Sequence, residues 1–345
     1  MRLHGPRFRR PAPQGAGTAR GAGARRWAVL GVGLSLIVGL VVLSQMSWTG
    51  SPSGTPRPPS ASTPSGTPNT GQPQARSNCT KEANNAVAMR QALDAAAPGD
   101  RICLDGDMGE ARLSINRSGQ PNQPIVVLGG GATITRGITV EASHVLIDGV
   151  RAQDPEAPGI DLSGTSLTVQ NSAVISPRGG DGDGIRFWGQ DIKILRNLVS
   201  DTRGRVENHA DAIQTYATDP EHPASQDVVI DGNRFERIDN ICLIAEGPNS
   251  EAGDGSGEGQ SSNFVFSNNY CDNGAGQAVF VDDVSKVSVT NNEITGGIDK
   301  AFAFQNGATG ATVNGNKLNP AIGYEVGMDD SSTDGYQGPE PGGQP

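Results

Sequence analysis

The chain has 345 residues, 48 of them glycine and 23 proline, with aromatics at only 4% and a formal charge of −10. Glycine at that density excludes a helical bundle and implies many turns between short strands. Residues 1–77 hold nine arginines and no acid, which leaves 18 basic against 37 acidic residues, a net −19, in 78–345; so acidic a body excludes general nucleic-acid binding.

Residues 1–26 carry seven arginines and read as a basic cytoplasmic tail. Trp27 to Trp48 contains no charge, and its 22 residues are enough to cross a hydrocarbon core of about 30 Å. Indoles at both ends suit the membrane interface, and the basic flank holds the amino terminus inside. A cleaved signal peptide competes with this, but no small-x-small site follows Trp48. The expectation is a single-pass signal anchor at 27–48 with the carboxy-terminal domain extracellular. Residues 49–77 contain seven prolines and almost nothing apolar, so they predict an extended linker reaching on the order of 90 Å.

Residues 82–97 (EANNAVAMRQALDAAA) predict an amphipathic helix with Ala86, Met89, Leu93 and Ala96 on one face. The tripeptide at 98–100 (PGD) ends it, and 101–106 (RICLDG) starts the first strand. A pattern of apolar-x-apolar-x-x-Asn then recurs at 192–197, 228–233, 264–269, 287–292 and 312–316, with degenerate copies at 145–150 and 167–172. Its central apolar residues are Ile147, Val169, Ile194, Ile230, Phe266, Val289 and Val313. About 13 residues after most of them a second short strand follows, as in 184–189 (GIRFWG) and 212–217 (AIQTYA).

Such a repeat predicts a parallel β-solenoid, each coil burying its apolar residues against its neighbours. The Asn is expected at a tight turn in the left-handed conformation. Stacking would align Asn197, Asn233, Asn269, Asn292 and Asn316 into an amide ladder. An antiparallel sandwich with Asn-Gly turns is the alternative, but it does not require Asn at one fixed offset in successive units.

The helix followed by PGD and a strand, together with the repeated Asn motif, resembles the pectin-lyase-like right-handed parallel β-helix family over about 79–328. The anchor would make this a membrane-anchored bacterial member. The resemblance implies an all-β solenoid at 78–328 with an amino-terminal capping helix, preceded by one transmembrane helix. It implies fold rather than activity, since lyases, glycoside hydrolases, epimerases and non-catalytic surface proteins share the architecture. That family's calcium acids and catalytic arginine have no residue-by-residue counterpart here. The residues after Met328, 329–345, read as a disordered tail.

All four cysteines follow the predicted span, and an even number in an oxidising compartment favours disulfides. In the proposed fold, Cys79 and Cys103 adjoin through the cap and first strand, and Cys242 and Cys271 lie on consecutive coils. Two disulfides are expected, Cys79–Cys103 and Cys242–Cys271.

Two coils are enlarged, at about 199–226 and 246–262, and loops on a rigid scaffold are where sites form. Placing Ile185 over Ile213 stacks 181–189 (DGDGIRFWG) on 209–217 (HADAIQTYA). Asp183 then lies beside Asp211, Asp181 beside His209, Arg186 beside Gln214, and Trp188 beside Tyr216. Two acids about 4.8 Å apart share a cation or raise one another's pKa. The candidate catalytic set is Asp183, His209, Asp211 and Tyr216, with Ca²⁺ as a cofactor held by Asp183 and Asp211. Arg186, Trp188, Arg203, Arg205 and Gln214 are candidate substrate-binding residues. An Asp before Gly-Ile or Ala-Ile that merely caps its turn is the competing reading.

These residues suggest a cell-surface β-helix acting on polysaccharide, foremost as a lyase. A glycoside hydrolase using the paired aspartates, and a non-catalytic wall-associated binder of glycan or protein, are the alternatives. The expected partners are a polysaccharide or cell-wall glycan and, through the anchor, the membrane; the body is expected to be monomeric. Protease added to intact cells should remove the 49–345 body, and full protection of the body behind a protease-permeable wall would reject the orientation.

Overall fold

The computed structural model describes residues 78–134, 136–204, 209–250 and 258–345. The predicted anchor and linker lie outside these residues. Among the described residues, no helix is long and apolar enough to cross a membrane.

Each coil runs through up to three short strands, and every ladder between coils is parallel. The stack of first strands includes Ile138–Glu141, Ile213–Tyr216, Leu243–Glu246 and Val279–Asp282. The stack of second strands includes Val145–Asp148, Gln226–Asp231, Ser261–Ser267 and Val284–Thr290. Two long strands, Ile160–Gln170 and Ile185–Leu195, serve both stacks, so these join into one hydrogen-bonded sheet. A separate sheet is built from third strands such as Arg151–Gln153, Leu198–Ser200 and Arg234–Ile238. The repeated motif does not mark this sheet, because strands of two to five residues show no periodicity of their own.

The repeat register holds residue for residue. Ile147 pairs with Val169, then Ile194, Ile230, Phe266, Val289 and Val313 in turn. All seven are buried, forming one apolar column down the interior. Phe235 stacks on Phe266 at 6.1 Å, and Phe187 approaches Phe264 at 6.0 Å, filling the wider coils with rings.

The Asn ladder forms as expected, with one correction. The left-handed residue is the one before each ladder Asn: Arg196, Gly232, Asn268, Asn291 and Gly315 have φ between 54° and 68°. That twist turns the following side chain inward, parallel to the solenoid axis. Asn233 Oδ1 accepts from Asn197 N at 2.8 Å and Asn197 Nδ2 at 3.1 Å, while Asn233 Nδ2 donates to Ile194 O at 2.8 Å. Asn269, Asn292 and Asn316 repeat the arrangement. Ser172 stands in one coil earlier, its Oγ accepting from Val150 N.

The cap is a helix at Ala86–Asp94, shorter than the predicted 82–97. Residues 81–83 are instead a strand that pairs with Arg101–Leu104, because that edge of the first coil would otherwise be bare. Asn85 starts the helix, its Oδ1 accepting from Val87 N and Ala88 N. Met89 and Leu93 plug the open end of the core. Both disulfides form as expected, Cys79–Cys103 with Cα atoms 5.8 Å apart and Cys242–Cys271 at 6.2 Å.

The expectation of a disordered tail at 329–345 is corrected. A 3₁₀ turn at Asp330–Ser332 leads into a strap that bridges Thr312 to Gln337 and Gly327 to Gly343. Val313 N donates to Gln337 O and Met328 N to Gly343 O, so the strap takes up backbone groups of the last coils. Its Pro and Gly content suggested disorder, but such residues also suit an irregular strap lying along an edge.

Asn233→Leu removes the acceptor for two buried donors and the donor to Ile194 O. At about 1–3 kcal/mol per buried unsatisfied group, it should cost about 3 kcal/mol or more. Asn291→Gly, at an exposed left-handed position, should stay within about 1 kcal/mol of the parent. Urea midpoints at unchanged slope check both; equal losses would deny the ladder its role.

Candidate functional site

The predicted register of the enlarged coil is correct: Ile185 pairs with Ile213 and Arg186 with Gln214. Asp183 and Asp211 do come together, but as braces inside the wall. Asp183 Oδ1 accepts from Asp211 N at 2.8 Å, and Asp211 Oδ1 accepts from Ile241 N at 3.0 Å. Each carboxylate thus holds the backbone of the next coil, as the Asn ladder does elsewhere. Asp183 and Asp211 are fully buried and meet no solvent-filled space. They are therefore corrected from catalytic candidates to turn braces, in line with the capping alternative.

Their remaining lone pairs are also engaged. Asp183 Oδ2 accepts from Arg186 Nε at 2.7 Å; Asp211 Oδ1 accepts from Asn240 Nδ2 at 2.8 Å; Asp211 Oδ2 meets His209 Nδ1 at 2.9 Å. Ca²⁺ requires six to eight oxygen ligands with free lone pairs. All four oxygens of this pair already face N–H groups, so the donor set does not fit calcium. Among the described residues, no group of three or more His, Cys, Asp or Glu is arranged to hold a metal.

Arg186 is bound by two carboxylates, with Nη2 2.5 Å from Asp181 and 2.6 Å from Asp183. Asp181 therefore meets Arg186, and His209 meets Asp211, in place of the expected Asp181–His209 pair. Gln214 is buried, and its Oε1 has no hydrogen-bond partner among the described residues. Arg203 is exposed on the loop before Asp211, and Arg205 lies outside the described residues. Burial pushes the Asp183 carboxyl up to about 6, against the pull of Arg186. The Asp211 hydrogen bond pushes the His209 imidazole up to about 9.

Trp188 and Tyr216 pack as predicted, at 5.2 Å and nearly edge-on. Trp188 is only 4% exposed and donates its Nε1 to Tyr216 O at 2.8 Å, so it supports the floor of a cleft and is no open stacking platform. Tyr216 is half-buried, its ring 5.6 Å from the Arg186 guanidinium. His222 completes the group at 4.6 Å from Trp188 and 5.3 Å from Tyr216. It is carried there by a short turn in which His222 N donates to Asp219 O, with His222 Nδ1 3.0 Å from the Asp219 carboxylate.

This turn stands on the outer face of the solenoid and divides two clefts of about 520 Å³ each. One is lined by Glu141, Asp161, Ser163, Trp188 and His222. The other has Thr165, Gln190, Gln226 and Gln260 along its floor. Asp161 is the notable group in the first. It lies between Thr139 and Arg186 in the register, is half-buried, and has no hydrogen bond or ion pair among the described residues. Burial raises its pKa, against Arg112 and Arg186 and with Glu141 adding to the rise. Sequence reasoning passed over Asp161 because it stands alone in 159–164 (GIDLSG), with no second acid to mark it. The outward position opposite Arg186 was the available signal.

His209 sits above its ordinary pKa, so its ion pair stabilises fully below about pH 6.5 and is lost as pH rises through about 9. Between pH 7 and 10 the parent should lose more melting temperature than His209→Gln. Parallel declines would show that the exposed imidazole contributes nothing to stability.

A family profile described as a right handed beta helix region matches residues 136–318. No curated protein matches the chain by sequence. Among solved structures, pectate lyase Pel9A is similar at 15% identity and a TM-score of 0.53, over 75% of this chain and 79% of that one. The PL6 family alginate lyase AlyGC is 16% identical with a TM-score of 0.43, over 71% of this chain and 40% of its own. PfbA, a surface adhesin of Streptococcus pneumoniae, is 13% identical with a TM-score of 0.36, over 70% and 88%. At these identities the likeness is one of fold. The matched profile spans more than half of the chain and includes both the Asn ladder and the clefts, so the protein belongs to the right-handed β-helix family.

Proposed function

We propose that the protein acts on a polysaccharide at the cleft lined by Asp161, Ser163, Trp188 and His222. The observation that carries this reading is the half-buried Asp161 carboxylate, which no group among the described residues satisfies, facing an aromatic-backed cleft on a rigid sheet. An unpaired acid is costly to desolvate, and perturbed acids in clefts gather at functional sites. A chain of sugars suits the shape, since the two clefts continue on either side of the His222 turn. The fold shared with a pectate lyase supports the same substrate class. The basic amino-terminal tail and anchor expected from the sequence would set this cleft at the cell surface.

Three outcomes separate the chemistries raised by the sequence. Elimination from a uronic acid gives an ultraviolet-absorbing double bond, hydrolysis gives reducing ends without one, and a binder gives neither. The full-length protein should bind or cleave at least one glycan from a panel of xylo-, cello- and chitosan oligosaccharides, polygalacturonate and alginate. Ser163→Tyr, which fills the cleft from its half-exposed outer wall, should weaken that activity at least about tenfold at unchanged melting temperature. No response to any glycan, or an unaffected Ser163→Tyr, would overturn the reading.

A further inference from the structure

Resting on that cleft as the site, we infer that Asp161 is its proton donor, that Glu141 is its partner base, and that the substrate is a glycan free of uronic acids, cleaved by hydrolysis. The two carboxylates belong to adjacent coils of one sheet face. Thr139 pairs with Asp161 and Glu141 pairs with Ser163, so Glu141 lies one strand over and two residues along from Asp161. Strand spacing and rise set their Cα positions about 8 Å apart. Both line the same cleft, Asp161 half-buried and Glu141 exposed. These are distinct environments for two acids, one desolvated and one in water, which is how a protonated acid and an ionised base come to stand side by side.

The step balances with water alone. The Asp161 carboxylic acid gives its proton to the glycosidic oxygen as the bond from the anomeric carbon to that oxygen breaks. Glu141 takes a proton from the water whose oxygen bonds to the anomeric carbon. One sugar leaves with a new hydroxyl, and proton exchange with solvent restores both carboxyls.

The cations around the cleft give the substrate class. Elimination from a uronic acid needs a cation at the sugar carboxylate. Arg186 is held by Asp181 and Asp183. Arg112 donates to Thr139 Oγ1 at 2.6 Å, to Arg136 O at 2.6 Å and to Pro158 O at 3.2 Å, spending its guanidinium on the wall. His222 faces Asp219, and Glu141, Asp161 and Glu221 add negative charge to the cleft. A polyuronate carboxylate would meet the carboxylates of Glu141, Asp161 and Glu221, while the guanidiniums beside Asp161, Arg112 and Arg186, already give their N–H groups to the wall; a neutral or amino sugar would meet none of that repulsion.

The test is turnover of the same oligosaccharide panel by the full-length protein and its variants. Reducing ends should appear from a neutral or amino glycan, without ultraviolet absorbance. Asp161→Asn should lower kcat by about 10²–10⁴-fold, the usual contribution of a positioned acid, while the dissociation constant changes less than about threefold. Glu141→Gln should do likewise, and Asp161→Glu should recover part of the rate. An Asp161→Asn enzyme within about threefold of the parent, or unsaturated products from a polyuronate, would overturn this inference while leaving the cleft as the site. Loss of both binding and turnover in Ser163→Tyr alone, with Asp161→Asn fully active, would overturn it in the same way. A parent that neither binds nor cleaves any glycan would instead remove the reading on which the inference rests.

Discussion

A solenoid coil has to turn sharply without leaving buried backbone groups unpaired, and in this protein polar side chains meet that requirement by bonding across coils. Parallel strands satisfy one another only where they run straight. At the corner after each second strand, a backbone N–H faces the next coil with no strand to receive it. Asn197, Asn233, Asn269, Asn292 and Asn316 each stand next to one such corner, and their amides both accept from the neighbouring coil and donate to a carbonyl of the previous one. Asp183 and Asp211 meet the same need at the corner before the first strand. Aspartates also brace the end of the second strand, where Asp148 accepts from Gln170 and Asn171, and Asp231 from Ser267 and Asn268. Everything on the outer surface, including the clefts, depends on corners made rigid in this way.

How much of this was legible in the sequence follows from what repeats. The apolar column from Ile147 to Val313 and the amide ladder recur at fixed offsets, so their register could be written down directly. The Ile185–Ile213 alignment was equally legible. What that alignment could not convey was the direction in which Asp183 and Asp211 face. Two acids in adjacent coils look the same on paper whether they hold a cation or the next coil's N–H, and burial decides between them. Asp161 and His222 show the converse. Each occurs once, so no pattern marks it, and each gains its character from neighbours remote in sequence: Arg186 for Asp161, Trp188 for His222. The separate sheet of third strands and the carboxy-terminal strap were missed for a simpler reason, since segments of two or three residues carry no period.

The charge distribution ties fold to site. The body is strongly acidic, yet the basic residues near the cleft are committed to structure. Arg186 braces Asp181 and Asp183, Arg112 braces carbonyls, Arg136 meets Glu156, and Arg178 meets Asp154. The wall therefore engages these guanidiniums as braces, and the carboxylates of Glu141, Asp161 and Glu221 line the cleft beside them.

The Cys242–Cys271 bond has a consequence for how the solenoid comes apart. A stack of coils in which each touches only its neighbours loses structure from its ends, one coil at a time, like a zipper. The two sulfurs lie in the interior, joining the corner before Leu243–Glu246 to the third strand of the following turn, Tyr270–Asn273. Unzipping that begins at the carboxy-terminal end reaches this staple before it reaches Ile213–Tyr216, the His222 turn or Asp161. The other staple, Cys79–Cys103, guards the opposite end. The coils that carry the cleft thus occupy a segment locked on both sides, in which fraying of the distal coils need not disturb the site.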